Sequence, residues 1–214
     1  MTGCIAIVPA RGGSRGIPNK NLETVSGQTL VARAIAAAAK CPSITRIVVT
    51  SDDPLILAEA QRFDAEIVRR PEEIAGDDSP IELAILHALV ESDTRAPLPK
   101  TLALIQPTSP LRDPLRLENA IRLFIESGEF GALFGVIPVQ HHPSKMLIRI
   151  GSLVKPFTSV GDLSAPRQQL PDVVRQSGSI YIADVDRFRV EKTLFLSPVG
   201  WLEVDEFEAI YIDQ

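Results

Sequence analysis

Short apolar runs alternate with amphipathic segments along the first half of the chain, and this alternation most constrains the fold. The runs have strand length and are rich in β-branched residues, at Ile5–Val8, Arg46–Thr50, Glu66–Val68 and Leu102–Ile105. Segments with apolar residues at helical spacing separate them. Because strands and helices that alternate in this way form a parallel sheet with helices on both faces, the sequence predicts a Rossmann-like α/β fold.

Three helix starts are marked by a polar residue followed by proline. Asp53–Pro54 and Asp113–Pro114 each combine a capping residue with proline at the first helical position. Residues 79–82, Ser-Pro-Ile-Glu, add the spacing of a capping box, so we expect Ser79 to cap the helix that follows. Apolar residues then recur at helical spacing, at Ile81, Ala84, Ile85, Ala88 and Leu89.

The pattern changes after Gly131. Strand-like runs at Ala132–Val139, Met146–Ile150 and Ser179–Ala183 flank a polar region with several prolines, from residue 155 to residue 177. We interpret this part as an excursion from the main sheet, and the alternative is a long surface loop. With 214 residues, 45% of them hydrophobic, the whole chain (1–214) is expected to fold as a single domain around one core.

The loop after the first strand predicts an anion site. From Val8 to Asn21 it reads V-P-A-R-G-G-S-R-G-I-P-N-K-N. Gly12, Gly13 and Gly16 allow left-handed or strained backbone, so successive amides can turn inward. Positive charge around them comes from Arg11, Arg15 and Lys20. Phosphate is the expected guest, and the alternative is an ordinary glycine-rich turn with solvated basic residues. The letters match neither a P-loop nor a dinucleotide fingerprint.

Polar residues that follow the predicted strands are expected to converge at one edge of the sheet, where open α/β sheets bind ligands. In chain order they are Asp52, Arg70, Gln106, Thr108, Ser109 and Arg112. Each has a structural alternative, since Asp52 or Asp53 could only cap a helix and Arg112 could only flank one. Gln106 directly follows a buried strand and is expected to face the ligand.

These stretches together resemble the acylneuraminate cytidylyltransferases, the CMP-sialic acid synthetases. Matching stretches occur in the family's order over nearly all of the chain, at 10–21, 50–52, 70–71, 106–112, 141–145, 166–171 and 177–181. The resemblance implies the fold of nucleotide-diphospho-sugar transferases and an enzyme that joins CMP from CTP to a nine-carbon acidic sugar, with release of pyrophosphate. It also implies a homodimer, with 140–177 as the dimerisation arm.

The resemblance and the strand-end positions together assign roles to individual side chains. Nucleotide binding is expected of Arg11, Gly12, Gly13, Ser14, Arg15, Lys20, Asn21, Arg70, Ser79 and Gln106, with Arg70 and the turn 77–79 near the cytosine. Sugar binding is expected of Gln106, Thr108, Ser109, Arg112, Lys145, Arg167, Arg175 and Tyr181. The planar guanidinium of Arg167 or Arg175 suits the sugar carboxylate. The implied catalytic residues are Arg11, Lys20 and Asp213.

Magnesium is implied as the cofactor, because family members carry Asp-Ile-Asp near the carboxyl terminus. The corresponding letters here are Tyr211, Ile212 and Asp213, so tyrosine replaces one carboxylate of the pair. Mg²⁺ is held by one or two carboxylates together with substrate phosphates, and Asp213 is therefore expected to be its ligand. Glu203 and Asp205 are alternative second carboxylates, although a solvent-facing strand edge explains them equally simply.

Charge and apolarity restrict the partners. The formal net charge of −5 argues against nucleic-acid binding, which needs clustered lysine and arginine. The sequence shows neither a signal peptide nor an apolar run of about 20 residues, so we expect no membrane contact and a cytoplasmic location. Cys4 and Cys41 are expected to be buried thiols. Without a third ligand, His141 and His142 are expected to be surface residues and not a metal site.

Two alternative functions stay open. A sister transferase would activate legionaminic, pseudaminic or 3-deoxy-octulosonic acid, or a hexosamine phosphate, although residues 167–171 favour a sialic-acid-like acceptor. A nucleotide-binding protein without catalysis is the other alternative. It is suggested by Tyr211 at a metal position and by the end of the sequence at Gln214, where family members continue into a further helix.

Overall fold

The strands form one main sheet and two short hairpins. The computed structural model describes residues 3–13 and 16–212, and its strands are β1 (Cys4–Pro9), β2 (Thr24–Val25), β3 (Gln28–Thr29), β4 (Ile44–Ser51), β5 (Glu66–Arg69), β6 (Thr101–Leu104), β7 (Ala132–Pro138), β8 (Leu147–Ile150), β9 (Leu153–Pro156), β10 (Val174–Asp184) and β11 (Val199–Glu203). The four strands predicted in the first half of the chain correspond to β1, β4, β5 and β6. Those four predictions are confirmed.

Helices connect the strands, and two of them begin at the predicted capping residues. They are α1 (Leu30–Ala39), α2 (Pro54–Gln61), α3 (Ile81–Asp93), α4 (Pro114–Ser127), α5 (Val160–Ser164) and α6 (Val185–Glu191). The Asp53 carboxylate accepts a hydrogen bond from the Leu55 amide at 2.7 Å, and the Asp113 carboxylate accepts one from the Leu115 amide at 2.9 Å. Both caps are confirmed.

The cap predicted at Ser79 is wrong. α3 begins at Ile81 after Pro80, and no side chain caps it. Ser79 instead belongs to a turn, in which its amide donates to the carbonyl of Gly76 at 3.2 Å. The turn leaves Ser79 in the wall of the cavity described below. The apolar stripe predicted for α3 is confirmed, because Ala84, Ile85, Ala88 and Leu89 are buried and Ile81 packs partly buried against the same core.

Within the described ranges the main sheet has the strand order β11-β7-β10-β6-β1-β4-β5. β10 runs antiparallel to both of its neighbours, and the other adjacent pairs are parallel, so the prediction of a mostly parallel sheet is confirmed. The pairing of β10 with β7 shifts register between Gln176 and Tyr181, where Gly178 adopts φ 82°. Because β1, β4, β5 and β6 share one direction, their carboxyl ends meet at one edge.

Helices cover both faces of the sheet, as predicted. α1, α2 and α4 pack on one face, and α3 and α6 pack on the other. The side chains of β1 alternate between the two cores, with Ala6 and Val8 in the first and Ile5 and Ile7 in the second. In the described part of the chain, no helix has both the length and the apolarity needed to cross a bilayer.

Residues 139–173 lie outside the main sheet, whereas residues 174–177, which the sequence pattern assigned to the excursion, belong to β10. They include β8 and β9, which pair with each other as a separate hairpin, followed by the short helix α5. β10 begins at Val174, earlier than the predicted start at Ser179, because its first residues pair with the end of β7 at Pro138. This excursion, called the arm below, therefore leaves the sheet at the end of β7 and rejoins it as β10, which pairs with β7.

Candidate active site

A cavity of about 200 Å³ opens beyond the carboxyl ends of β1, β5 and β6. Residues from the loop after β1 form one wall, and residues that follow β5 and β6 form the others. Of the predicted site residues, the structure places in its lining Arg11, Gly13, Lys20, Asn21, Arg70, Ser79, Gln106 and Thr108. The convergence predicted from strand-end positions is therefore present. Ser14, Arg15 and Asp213 lie outside the described residues.

The loop after β1 is bonded to Asp52, which follows β4, and passes close to Asp53. The Gly12 amide donates to Oδ1 of Asp52 at 3.0 Å, so this amide is already engaged and does not point to a bound anion. A Cβ atom on Gly12 would lie 2.7 Å from the Cβ of Asp53, and this close approach explains the glycine. At Gly13 a Cβ would meet nothing within 4 Å, which leaves that side of the loop open to the cavity.

Left-handed backbone occurs in this loop at Asn19, with φ 52°, and not at Gly12. Asn19 precedes a short 3-10 helix over Lys20–Leu22, which presents Lys20 and Asn21 to the cavity. Asn21 is buried, and its Nδ2 donates to the Arg11 carbonyl at 2.9 Å. The sequence predicted left-handed or strained backbone at the glycines of this loop; Asn19 takes the left-handed region here, which asparagine also tolerates.

Positive charge is concentrated in the cavity by Arg11, Lys20 and Arg70. Arg11 Nη1 forms an ion pair with Oδ1 of Asp77, which lines the opposite wall. Both side chains are about one third exposed, so this pair contributes at most about 1 kcal/mol and can be exchanged for a stronger anion. The cavity therefore contains a cationic group whose present partner is a single carboxylate.

Arg70 is the buried cation of the cavity, with 7% of its surface exposed. Its Nη2 donates to the Thr50 carbonyl at 2.9 Å, and its Nε has no hydrogen-bond partner among the described residues. Burial is the main cause that lowers the pKa of Arg70, and the carboxylate of Asp52 opposes this change. A buried donor without a partner costs about 1–3 kcal/mol, so a ligand that accepts from Arg70 would gain stability here.

The segment after β6 contributes two kinds of residue. Gln106 and Thr108 line the cavity, whereas Ser109 and Arg112 are buried behind it. Arg112 donates from Nε to the Ser179 carbonyl at 2.6 Å and from Nη2 to the Gln106 carbonyl at 3.0 Å. Burial lowers the pKa of Arg112 to about 10, so the guanidinium stays charged at neutral pH. Arg112 thus fixes the backbone that carries Gln106 and does not reach the cavity itself.

Ser109 has a similar supporting contact, because its hydroxyl donates to the Gly178 carbonyl at 3.1 Å. The contact joins the segment after β6 to the register shift in β10. The structure thus brings together Gln106 and Thr108 of the predicted sugar ligands and keeps Ser109 at the sheet. The sugar-binding roles of Ser109 and Arg112 remain predictions without a contact to the cavity.

A second cavity, of about 250 Å³, adjoins the first and shares Ile81 and Gln106 with it. Its wall combines Tyr181, which the sequence predicted, with residues that it did not, namely Phe134, Gln176, Leu194 and Phe195. The Phe134 and Tyr181 rings pack edge to face with centroids 5.5 Å apart. Burial raises the pKa of Tyr181, and the neighbouring Tyr211 adds to the effect, so the phenol remains a hydrogen-bond donor at neutral pH.

The missed residues of the second cavity carry no motif of their own. Leu194 and Phe195 follow α6, and Phe134 lies within β7, where an aromatic residue reads as core. One sequence signal could have found Phe195, which is a large apolar residue outside any amphipathic pattern. In the structure it is 62% exposed. Phe134 is buried and offers no such signal.

The remaining predicted sugar ligands lie on the arm and its return, and none of them lines either cavity. Lys145 Nζ donates to three carbonyl oxygens, at 2.5 Å for Ala165, 2.7 Å for Leu163 and 3.2 Å for Asp162, so its charge closes the end of α5. Arg167 donates from Nη2 to the Gln140 carbonyl at 3.1 Å. Arg175 lines a third, mostly apolar cavity of about 560 Å³ at the base of the arm. Their sugar-binding roles remain predictions.

The described residues hold no group of three or more histidine, cysteine or acidic side chains that could bind a metal ion. His142 has a structural role, because its Nδ1 accepts from the Ser144 amide at 3.1 Å. Asp205 is ion-paired with Arg116 at 2.5 Å and lies outside the lining of the main cavity, and Glu203 ends β11. Tyr211 lines that cavity, as expected for its place in the sequence.

A mostly parallel sheet with a basic cavity at its carboxyl edge and a second cavity beside it defines a nucleotide-binding α/β enzyme. The chain belongs to the cytidylyltransferase family, since the family model described as Cytidylyltransferase matches residues 5–158. It is a CTP-dependent nucleotidyltransferase. The resemblance stated from the motifs is thereby confirmed.

Relatives extend the match over nearly the whole chain. CMP-N,N'-diacetyllegionaminic acid synthase of Legionella pneumophila is 30% identical over 98% of this chain and 90% of that protein. N-acylneuraminate cytidylyltransferase of Escherichia coli is 30% identical over 91% of this chain, which covers 45% of that protein. The chain thus spans almost all of the first relative and less than half of the second.

Two solved structures share the fold. CMP:2-keto-3-deoxy-manno-octonic acid synthetase complexed with CTP aligns with a TM-score of 0.66 at 14% identity, over 94% of this chain and 90% of that chain. 4-Diphosphocytidyl-2C-methyl-D-erythritol synthase from Anaerococcus prevotii aligns with a TM-score of 0.64 at 12% identity, over 99% of this chain and 93% of that one. At these identities the likeness confirms the nucleotide-sugar transferase fold and nothing finer.

Proposed function

We propose that the protein joins the CMP moiety of CTP to the anomeric hydroxyl of a nine-carbon acidic sugar of the sialic-acid type and releases pyrophosphate. The observation that carries this proposal is the pair of cavities that share Gln106 and Ile81. One is lined by three cations and suits a triphosphate, and the other combines polar and aromatic walls and suits a sugar with acyl substituents. Neighbouring cavities would hold the two reactants close together, which removes much of the entropic barrier.

The reaction forms a bond between the sugar hydroxyl oxygen and the α-phosphorus of CTP. The bond from that phosphorus to the bridging oxygen breaks, pyrophosphate leaves with its electron pair, and the hydroxyl proton is released. Arg11 and Lys20 line the cavity where the triphosphate would lie, and their charge would stabilise the leaving pyrophosphate. Gly13, Ser14, Arg15 and Asn21 are proposed to support the phosphates and ribose.

Base recognition is proposed for Arg70 and Ser79. The unpartnered Nε of Arg70 is buried in the cavity wall and can donate to an acceptor on the cytosine ring. Ser79 lies in the turn across the cavity and offers a hydroxyl that both donates and accepts. Gln106, at the wall between the two cavities, would contact nucleotide and sugar together.

Magnesium is proposed as the cofactor, with Asp213 as its protein ligand. Among the described residues, Asp77 is the carboxylate in the lining of the cavity, and Tyr211 replaces an acidic residue. These residues alone do not fit a metal centre, so no step of the reaction above depends on one. When bound, the ion would neutralise phosphate oxygens. Binding of Mn²⁺ to the CTP complex, measured by electron paramagnetic resonance in wild type and Asp213→Asn, tests the assignment.

Legionaminic acid is the second candidate acceptor, because a relative that is 30% identical and that the chain spans almost completely is named for it. Both acids have nine carbons and a carboxylate, and they differ in the substituents that the aromatic cavity would contact. Phe134, Tyr181 and Phe195 form the apolar part of that wall. The choice between the two sugars as acceptor therefore depends on this wall and does not involve the nucleotide site.

Pyrophosphate release from CTP in the presence of a panel of sugars tests the function. The panel contains N-acetylneuraminic, legionaminic, pseudaminic and 3-deoxy-octulosonic acids, and a hexosamine phosphate with GTP. We expect release with a nine-carbon acid, CTP and Mg²⁺, and less release without the ion. Release with the hexosamine phosphate alone would favour a sister transferase. CTP binding without release under any sugar would favour a nucleotide-binding protein without catalysis.

A homodimer is proposed, with the arm as its interface. Large apolar side chains on the arm are more than half exposed, among them Leu147, Ile150, Leu153, Val154 and Phe157. Lys145 and Arg167 line neither the nucleotide cavity nor the sugar cavity of their own chain, and they are proposed to reach the sugar cavity of the second subunit. Light scattering tests this: we expect twice the chain mass for the wild type and a single-chain mass for Leu153→Asp. A single-chain mass for both contradicts it.

A cytoplasmic location is also proposed. Cys4 and Cys41 are free thiols in the structure, which is typical of proteins in a reducing compartment. Fractionation of cells that express the full protein tests this, and recovery of the protein in a membrane or secreted fraction would contradict it.

A further inference from the structure

The segment that follows β11, residues 204–212, crosses back to the nucleotide cavity. The Val204 amide donates to the Val136 carbonyl at 2.9 Å, and the Ile212 amide donates to the Thr108 carbonyl at 2.9 Å. Next to this second contact, Tyr211 lines the cavity. Residues 205–212 belong to no strand of the sheet. Contacts other than sheet pairing must therefore determine where Tyr211 lies.

Glu208 lies in the middle of this segment and is buried, with 4% of its surface exposed. Its Oε2 accepts a hydrogen bond from the Asp113 amide at 3.2 Å, and its Oε1 forms an ion pair with Nε of Arg116 at 2.6 Å without the geometry of a hydrogen bond. Asp113 caps α4, and Arg116 lies in the first turn of that helix. Because a carboxylate is costly to bury unless it is paired and hydrogen-bonded, these contacts hold Glu208 in one place.

Asp205 provides a natural comparison on the same segment. It pairs with the same Arg116, through Oδ2 at 2.5 Å from Nη2, but its side chain is 70% exposed. Exposed pairs of this kind contribute little, because solvent screens the charges and the long side chains lose freedom. The two carboxylates therefore share a partner and differ in burial.

We propose that Glu208 is a positioning residue, which fixes residues 209–212 against α4 so that Tyr211 completes the wall of the nucleotide cavity. The inference rests on the proposed function only in naming CTP as the ligand of that cavity. Val204 is buried in the main core and bonded to β7, so the start of the segment does not depend on the carboxylate. Loss of Glu208 would therefore loosen the end of the segment, and the sheet would keep its packing.

The two tyrosines of the chain allow a direct test, since Tyr181 and Tyr211 are its only ones. Protein labelled with 3-fluorotyrosine gives two ¹⁹F resonances, and Tyr181→Phe assigns them. In the nucleotide-free protein we expect Glu208→Gln to move the Tyr211 resonance toward its position in urea. Glu208→Gln keeps the volume and an acceptor for the Asp113 amide but removes the charge that faces Arg116. Asp205→Asn is the matched control and leaves the resonance in place.

Binding of CTP, measured by calorimetry, is the second readout. We expect Glu208→Gln to raise the dissociation constant about tenfold, and Asp205→Asn to change it by about twofold or less. A Tyr211 resonance that stays in place in Glu208→Gln overturns the proposal, whatever the melting temperature does. If Glu208→Gln fails to fold, Arg116→Gln removes the same pair from the other side, together with the Asp205 pair that Asp205→Asn tests separately, and is read by the same resonance.

The two proposals fail in different ways. A wild-type protein that binds no CTP contradicts the proposed function, whereas the nucleotide-free spectra still decide the role of Glu208. If the wild type binds CTP and the variants Glu208→Gln and Asp205→Asn bind it with equal affinity, the positioning role alone is contradicted.

Discussion

The guanidinium of Arg11 is ion-paired with the carboxylate of Asp77 inside the cavity proposed for the nucleotide. Arg11 comes from the loop after β1, and Asp77 comes from the turn before α3, so the pair joins two walls of the cavity. A triphosphate carries more negative charge than one carboxylate and can replace Asp77 as the partner of Arg11. The ion pair is therefore expected to compete with CTP.

Replacement of Asp77 by asparagine is predicted to strengthen CTP binding. The variant removes the competing carboxylate and its repulsion of the phosphates, so we expect the dissociation constant to fall about two- to fivefold, in line with the energy of an ion pair whose side chains are about one third exposed. Isothermal titration calorimetry with CTP measures it. Asp186→Asn, which changes an exposed carboxylate in the first turn of α6 outside the cavity lining, is the control. Weaker binding in Asp77→Asn than in this control contradicts the prediction.

Lys20→Ala is predicted to lower kcat with CTP about a hundredfold, because it removes a charge that would stabilise the leaving pyrophosphate. Lys20 lies in a short 3-10 helix at the cavity and not in the core, so the melting temperature is expected to stay close to that of the wild type. Lys40→Ala, at the exposed end of α1, is the matched control. Wild-type turnover in Lys20→Ala would count directly against the assignment of the phosphate site.

Glu66 is predicted to make stability depend on pH. Its hydrogen bonds with Arg46, at 2.7 and 2.8 Å, lower the pKa of Glu66 below its ordinary value of 4.5. A carboxyl group whose pKa is lowered by folding stabilises the native state above that ordinary value, and this stability is lost as the pH falls through the folded pKa. Arg46 also donates to the Ser92 and Ala96 carbonyls, so the pair ties β4 and β5 to the end of α3.

Urea unfolding between pH 3 and pH 7 checks this dependence. At pH 7 we expect Glu66→Gln to be less stable than the wild type by about 1 kcal/mol, as for a bidentate, partly buried pair. The difference should shrink as the pH falls below 4.5. Glu126→Gln is the control, because Glu126 and Arg122 form a pair in which both side chains are more than 60% exposed. A difference that is constant over the whole range contradicts the prediction.

The two cysteines are predicted to resist thiol reagents in the native protein. Burial is the main cause that raises the pKa of Cys4 far above its usual range and that of Cys41 to about 12, so neither is a thiolate at pH 8. Titration with an aromatic disulfide should count no reactive thiol in the folded protein and both thiols in denaturant. Rapid reaction of either thiol without unfolding would contradict the buried environment.

The sequence predicted what depends on short-range pattern. The four strands of the first half, the caps at Asp53 and Asp113 and the convergence of residues after β1, β5 and β6 all follow from local periodicity and strand direction. Ser79 shows the limit of such signals, because its letters fit a capping box and a turn equally well. The turn forms, and the side chain faces the cavity instead of the helix.

The features of the site that the sequence did not predict depend on contacts between segments that are distant in the chain. Nothing in the letters around Gly12 shows that its amide is bonded to Asp52, forty residues away. Arg112 likewise reads as a strand-end cation until the structure pairs it with the carbonyls of Gln106 and Ser179. The aromatic wall with Phe134 and Phe195 arises because β7 and the segment after α6 meet beside β10.

The most direct test of the central claim is a crystal structure of the protein with CTP. The account predicts the triphosphate against Arg11, Lys20 and Gly13 and the cytosine beside Arg70, with Asp77 no longer paired to Arg11. It also predicts the α-phosphate next to Gln106, at the wall between the two cavities. A nucleotide bound elsewhere, or one bound here in the opposite direction with its base against Lys20, would contradict it.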